Sequence, residues 1–213
     1  MAGKTVRGGS QCPMIPLRGA VAFPNLKFSC TIGRRPSMLA LEKALSEDRI
    51  LLLVAQHDET TETPAPEQVY KVGTLVFIAH HSYLTGNDFL LAQFEGIERA
   101  RILSVEEVSG YWQATYRRIS EPVAQSSRNK KLLDQLTSLI AEHFEKTESF
   151  FWSTYLLEDA LWIDDPLLAA SSISSYLKEA KDKQEILELS SVQKRLARLI
   201  EIISRKLESQ ERA

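Results

Sequence analysis

In the first 120 residues of the chain, hydrophobic and polar positions form short runs separated by turn residues. Residues 26–32 alternate strictly between the two classes, which predicts a half-buried strand. Ile50–Ala55 is a continuous apolar run, short enough for a buried strand. Two further pairs of apolar runs flank turn residues and predict hairpins: residues 74–80 with 89–94 around Thr85–Asp88, and residues 97–108 with 111–119 around Gly110.

One helix interrupts these strands. Pro36 suits a first helical turn, and Met38, Leu41 and Leu45 follow at positions that share one helical face. About six strands with one helix predict a small β-barrel or a strongly curved sheet.

Beyond residue 120 the hydrophobic spacing becomes helical. Residues 121–130 are polar, contain Pro122, and are predicted to be a linker. The next apolar stripe consists of Leu132, Leu136, Leu139, Ile140 and Phe144. Asp165 and Pro166 form a cap and first-turn pair, which predicts a helix through Leu177.

A last helix is predicted from residue 191 to about residue 209. Ser190 with Gln193 fits a capping box at its start. Its apolar stripe consists of Leu196, Leu199, Ile200, Ile203 and Leu207. The helix meets no glycine or proline before the sequence ends, so we expect this sequence to be a piece of a longer protein.

Composition narrows the class of protein. Of 213 residues, 44% are hydrophobic and 25% are charged, which is typical of a globular chain, and the net charge is −2. Only Cys12 and Cys30 are cysteines, so no disulfide framework is predicted. No signal peptide and no apolar stretch of bilayer length are present. We therefore expect a cytoplasmic protein with no membrane partner.

No residue pattern predicts a catalytic, cofactor or metal site. His80 and His81 are neighbours on a strand and point to opposite faces, so they cannot chelate one ion together. Gly3-Lys4-Thr5 lacks the preceding glycine and strand of a phosphate loop. Arg99, Arg101, Arg117 and Arg118 form a basic cluster near aromatic residues, but four nearby glutamates dilute it and disfavour nucleic acid.

Two groups of apolar residues are predicted to contact a polypeptide partner. Tyr83, Leu84 and Phe89 lie at the tip of the first hairpin, where a turn must stay at the surface. Phe150, Phe151 and Trp152 belong to an aromatic run that cannot fit on a single buried helical face; the alternative is that neighbouring elements cover it as core.

Several segments together resemble the amino-terminal domain of Lon-type ATP-dependent proteases. The matching segments are Ile15-Pro16-Leu17-Arg18, Phe23-Pro24, residues 53–56, residues 70–74, residues 94–102, Asp164-Asp165-Pro166 and residues 183–207. Residues 95–102 are similar to that family's E-G-x-x-R-A-R-I segment, whereas the aromatic run of residues 150–155 departs from the family pattern.

This resemblance implies an α+β chain with a disordered tail at residues 1–12, a PUA-like β-barrel at residues 13–120, and a helical subdomain at residues 131–213. It implies a non-catalytic domain that binds unfolded or tagged protein substrates for quality control, and that helps a hexameric parent protease to assemble with other copies. The ATPase and serine–lysine protease domains of such a parent are absent from this sequence. The alternative function is a stand-alone PUA-like module that binds RNA.

Overall fold

A computed structural model describes residues 9–84, 89–121, 126–146 and 162–211, with the backbone alone for residues 143–146 and 206–211. The chain divides into two compact units, Met1–Ile119 and Ser120–Ala213. This division lies one residue before the predicted end of the strand-rich half at residue 120.

The first unit holds six strands and one α-helix in its described residues. They are β1 (Ser10–Leu17), β2 (Lys27–Ile32), α1 (Arg35–Leu45), β3 (Ile50–Ala55), β4 (Val72–Tyr83), β5 (Leu90–Val108) and β6 (Tyr111–Arg118), with a short 3-10 helix at Pro66–Gln68. The α1 residues Met38 and Leu41 are buried and Leu45 is half-buried, as the predicted helical face requires.

The strand pairings return to their starting point. β5 pairs with β4, β4 with β3, β3 with β1, β1 with β6, and β6 again with β5. β2 lies outside this circuit and pairs only with β5 among the described strands. All the pairings are antiparallel except that of β1 with β3.

The β5–β6 hairpin has the tight turn that its sequence predicts. Ser109 and Gly110 have φ values of 52° and 84°, and they are the two residues between the strands. Positive φ at both positions matches the twist of the flanking strands.

The prediction of a tail at residues 1–12 is wrong at its end, because β1 begins at Ser10. Pro13 and Pro16 concealed this strand, since proline cannot donate a hydrogen bond in a ladder. Pro13 lies in the part of β1 that pairs with β6 alone. Pro16 lies in the part that pairs with β3 alone. Each proline therefore has one free side.

The predicted strands at residues 89–94 and 97–108 are one continuous strand, β5. Gly96 lies in the interval between the two predicted strands. It is a point of close approach, because its amide donates to the Leu26 carbonyl (2.8 Å) and its carbonyl accepts from the Asn25 amide (2.9 Å). An added Cβ at Gly96 would overlap the carbonyl oxygen of Phe23. The predicted total of six strands thus combined one missed strand with one strand counted twice.

The second unit contains four helices in its described residues. They are α2 (Ser127–Lys146), α3 (Pro166–Ser175), α4 (Ala180–Glu188) and α5 (Val192–Glu211). α5 packs against α2, α3 and α4 and buries Leu196, Leu199 and Ile203 of the predicted stripe, with Ile202 in addition. Ile200 is half-buried. Leu207 and Phe144 lie outside the side chains that the structure describes.

Helix α2 begins inside the predicted linker at residues 121–130. The Asn129 amide donates to Ser126 Oγ (3.1 Å), so a polar serine caps a helix where a linker was expected. Glu121 is also held in place: both its carboxylate oxygens accept from Arg195 Nη2 at 2.8 Å, and the Arg195 side chain is 4% exposed.

The helix starts agree with the predicted chemistry, with one shift. Asp165 accepts from the Leu167 amide at 2.8 Å, and Pro166 occupies the first turn of α3. The predicted capping box of Ser190 with Gln193 is wrong by one residue, since the Lys194 amide donates to Ser191 Oγ (3.3 Å). Ser190 instead accepts from the Lys194 ammonium group (3.2 Å).

Candidate functional site

Three apolar side chains are exposed at the end of the β4–β5 hairpin, and we call them the hairpin cluster: Tyr83, Leu84 and Phe89. Tyr83 and Phe89 are each 51% exposed and Leu84 is 40% exposed. Leu84 and Phe89 face each other across the hairpin, because the Leu84 amide donates to the Phe89 carbonyl at 2.9 Å. These were the predicted contact residues of the first group, and the structure brings all three together.

Phe89 connects the hairpin cluster to a cleft in the first unit. Its ring lies over Gly33, where an added Cβ would stand 2.7 Å from two ring carbons. Gly33 separates β2 from α1 and lines both sections of the cleft, of about 710 Å³ and 340 Å³. Pro16, Arg18, Arg34 and Ser37 also line both sections, so the two are adjacent.

The two sections differ in chemistry. The larger section has Trp112 and several prolines in its walls, and both arginines and glutamates line it. The smaller section is lined mainly by apolar side chains, among them Phe28, Cys30 and Phe89. Arg18 and Arg34 are the charged residues among the described residues that line the smaller section.

Arg34 is held firmly at the boundary between the sections. Its Nη2 donates to Gln56 Oε1 at 2.9 Å, and Gln56 is itself buried and donates to the Asp58 and Thr61 carbonyls. Arg34 Nη1 is buried without a hydrogen-bond partner in the described structure. Burial and the nearby Arg18 lower the pKa of the Arg34 guanidinium, against an opposing effect of Glu62. Glu62, in the wall of the larger section, is thus the carboxylate whose charge acts on Arg34, whereas no carboxylate is among the described residues that line the smaller section.

Cys30 supplies a chemical probe of the smaller section. Cys12 and Cys30 are both free thiols, but Cys12 is buried and Cys30 is half-buried. Burial raises the pKa of Cys30 to about 11 and that of Cys12 to about 12, the latter with help from the charge of Asp48.

We expect an alkylating reagent to modify Cys30 before Cys12, slowly at pH 8 and about tenfold faster per pH unit up to pH 10, because only the thiolate reacts. Mass spectrometry of peptides from the alkylated chain would measure both rates. A Cys30 rate that stays flat over this range would contradict the raised pKa.

The second predicted group, Phe150, Phe151 and Trp152, lies outside the described residues. Trp162, at 83%, is the most exposed large hydrophobic side chain of the described part, and sequence reasoning did not single it out. Arg18 and Arg34 were also missed as site residues, because the cleft is formed by several separate segments and no local motif indicates it.

The basic cluster that was considered as a nucleic-acid surface is smaller than its sequence indicates. Arg99 is 1% exposed, and Arg118 forms an ion pair with Glu98 at 2.5 Å. Arg101 and Arg117 are exposed and face each other across β5 and β6. No group of three or more potential metal-ligating side chains occurs among the described residues. None of the helices in that part of the chain is long and apolar enough to cross a membrane.

Comparison with known proteins identifies the family. The profile of the ATP-dependent protease La (LON) substrate-binding domain matches residues 11–205. The chain belongs to the Lon substrate-binding domain family. It is 31% identical over 198 residues to the Lon protease of Solibacter usitatus, and 30% identical over 199 residues to that of Heliobacterium modesticaldum. It covers 92% and 93% of its own length in these matches, but 24% of each relative.

Solved structures show the same fold as this Lon substrate-binding domain. The N-terminal domain of the Mycobacterium avium complex Lon protease superimposes with a TM-score of 0.73 at 18% identity, over 92% of this chain and 98% of that one. The Lon N-terminal domain protein from Xanthomonas campestris gives a TM-score of 0.63 at 12% identity, over 90% and 97%. The mixed α/β architecture with a six-stranded sheet is thus shared, and the predicted family is confirmed.

Proposed function

We propose that this chain is the substrate-recognition domain of a Lon-type protease and that it binds unfolded or tagged polypeptides through the hairpin cluster. The match to the substrate-binding domain over residues 11–205 carries this proposal. The exposure of Tyr83, Leu84 and Phe89 supports it, because unfolded chains differ from folded ones in displaying apolar side chains.

Binding by such a surface is weak for each contact. Burying one exposed apolar side chain contributes about 1.5–3 kcal/mol before ordering costs, so a single copy binds with micromolar affinity or poorer. Several copies in one assembly raise the effective affinity without new contacts, because the second contact becomes intramolecular. A ring of six chains, as the family resemblance implies, suits this mode of capture.

The remaining parts of the proposal concern the parent protein. The circuit of strand pairings is compatible with a PUA-like barrel that presents the hairpin at one end. ATP hydrolysis and peptide cleavage belong to domains outside this sequence, and this domain contributes binding and assembly to protein quality control. The two free thiols suit a reducing compartment, for which we propose the cytoplasm.

Replacing Tyr83 and Leu84 together by serine is expected to weaken binding of an unfolded model protein by about tenfold, since two apolar contacts are lost. Titration of labelled, reduced and carboxymethylated lactalbumin, followed by fluorescence anisotropy, would measure this. Both positions are exposed, so circular dichroism should show an unchanged fold.

The matched control is Leu103→Ser with Val108→Ser, which removes two side chains of 43% and 36% exposure toward the other end of β5. We expect this variant to bind like the wild type. Equal loss in both variants would indicate non-specific adhesion, and no loss in the hairpin variant would remove the hairpin cluster from the proposal.

A further inference from the structure

The strand pairings leave a gap beside the smaller section of the cleft. β6 pairs with β1 at Ser10–Met14 and with β5 at Ala100–Val108. β2 pairs with the other part of β5, Leu90–Glu95. β1 at residues 15–17 therefore pairs on one side, with β3, and β2 pairs on one side, with β5. No described strand fills the other side of either segment.

The smaller section lies between these two free edges. Its walls include Ile15–Arg18 from β1 and its end, and Phe28, Cys30, Thr31 and Ile32 from β2. A free strand edge offers unpaired backbone groups that an added extended segment can use, while side-chain pockets beside the edge select its sequence. The shape of the cleft therefore favours an extended peptide.

The charges of this section favour an acidic peptide. Arg18 and Arg34 line it with no carboxylate among its described lining residues. Among the described residues, neither guanidinium group forms an ion pair within 4.0 Å, and Arg34 Nη1 is buried without a partner. The nearest charges of opposite sign act from outside the section: Glu62 on Arg34, and Asp58 on Arg18. A buried cationic donor gains most from a charged acceptor, because hydrogen bonds between opposite charges are the stronger ones.

Apolar walls stand next to these two cations. Phe28 stacks with Phe94 at a ring-centroid distance of 6.5 Å, which fixes it at the edge of the core. Phe89 covers Gly33 and is half exposed. A peptide that places a carboxylate at Arg18 and Arg34 would therefore bring its neighbouring side chains against Phe28 and Phe89.

We propose that the smaller section of the cleft binds an extended segment of an unfolded polypeptide in which an acidic side chain lies next to large apolar ones. This inference rests on the proposed substrate-recognition function and adds a sequence preference to it. Arg18 and Arg34 receive the carboxylate, Phe28 and Phe89 contact the apolar neighbours, and the free edge of β2 selects the extended conformation.

The test uses the 213-residue chain and three fluorescein-labelled peptides that are blocked at both ends. All have leucines flanking one central residue, which is aspartate, asparagine or lysine. We expect the aspartate peptide to bind about fivefold more tightly than the asparagine peptide, and the lysine peptide most weakly, with the difference shrinking as salt is raised. Blocked termini exclude a contribution from the terminal carboxylate of the peptide, and an unblocked asparagine peptide tests that source separately.

Charge variants locate the effect. Arg18→Gln is expected to abolish most of the preference for aspartate, and Arg18→Glu to reverse it in favour of lysine. Arg117→Gln removes an equivalent exposed charge outside the cleft and should retain the wild-type preference. Arg34→Gln is a fourth variant, and if it fails to fold, the exposed Arg18 position still decides the outcome.

A chemical footprint provides a second readout. Bound aspartate peptide should slow alkylation of Cys30, which lines the section, and leave the buried Cys12 unchanged. Equal affinity for all three peptides in the wild type, or an unchanged Cys30 rate at saturation, would overturn the inference. If the unfolded model protein still binds in that case, the proposed function stands, and if neither peptide nor protein binds, both fail.

Discussion

Leu199→Ala is expected to lower the free energy of unfolding of the second unit by about 4 kcal/mol, because a fully buried leucine leaves both lost apolar burial and a cavity. Leu199 is 0% exposed on α5, the helix that packs against α2, α3 and α4. Urea denaturation followed by circular dichroism at 222 nm would measure the change, since the second unit is helical in its described part.

Arg205→Ala is the control on the same helix. Arg205 is exposed and should change the unfolding free energy by less than about 0.5 kcal/mol. A Leu199→Ala variant that unfolds at the wild-type urea concentration would place this face of α5 in solvent and would contradict the packing. Ile200→Ala should fall between the two, because Ile200 is half-buried.

Gly96→Ala is expected to destabilise the first unit by about 3 kcal/mol, at the upper end of the effects of overpacking. The added methyl group would overlap the carbonyl oxygen of Phe23, and the two backbone hydrogen bonds of Gly96 to Leu26 and Asn25 prevent the segments from separating. Thermal unfolding of the variant and of the wild type, followed by near-ultraviolet circular dichroism, would show a lower Tm for the variant.

Gly33→Ala is the matched comparison. Its added Cβ would also be too close, 2.7 Å from two ring carbons of Phe89, but that ring is half exposed and can rotate away. We expect a cost below about 1 kcal/mol for Gly33→Ala. Equal destabilisation by the two variants would show that a general glycine preference, and not backbone overlap at Gly96, sets the cost.

The sequence predicts the first unit where local pattern and tertiary environment agree. Alternation at residues 26–32 and the apolar run at Ile50–Ala55 both mark strands that the structure contains. β1 was not predicted, because Pro13 and Pro16 are incompatible with a strand that is paired on both sides along its whole length. The two prolines are tolerated because β3 and β6 pair with different parts of β1. The strand β5 was predicted as two strands on either side of residues 95–96, where Gly96 marks a close approach of the backbone and not a break.

The candidate site was partly predictable. The hairpin cluster could be named from sequence because a turn must lie at the surface, and apolar residues in it have nowhere to be buried. The cleft could not, because its charge depends on the packing that brings Arg18, after β1, close to Arg34, before α1. From the sequence alone, Arg18 and Arg34 cannot be distinguished from ordinary surface arginines.

The pairing of β1 with β6 has a consequence for synthesis of the protein. Ser10 pairs with Tyr116, so β1 can pair with β6 only after about a hundred more residues have been translated. At ribosomal rates of about 5–20 residues per second, this delay lasts roughly 5–20 s. During that interval the edge of β1 that pairs with β6 is uncovered in the nascent chain, although β3, the partner at its other edge, is made earlier. A domain that binds unfolded polypeptides thus passes, each time it is made, through a state that resembles its own proposed clients, and early binding of a ribosome-associated chaperone to residues 10–55 would shield it.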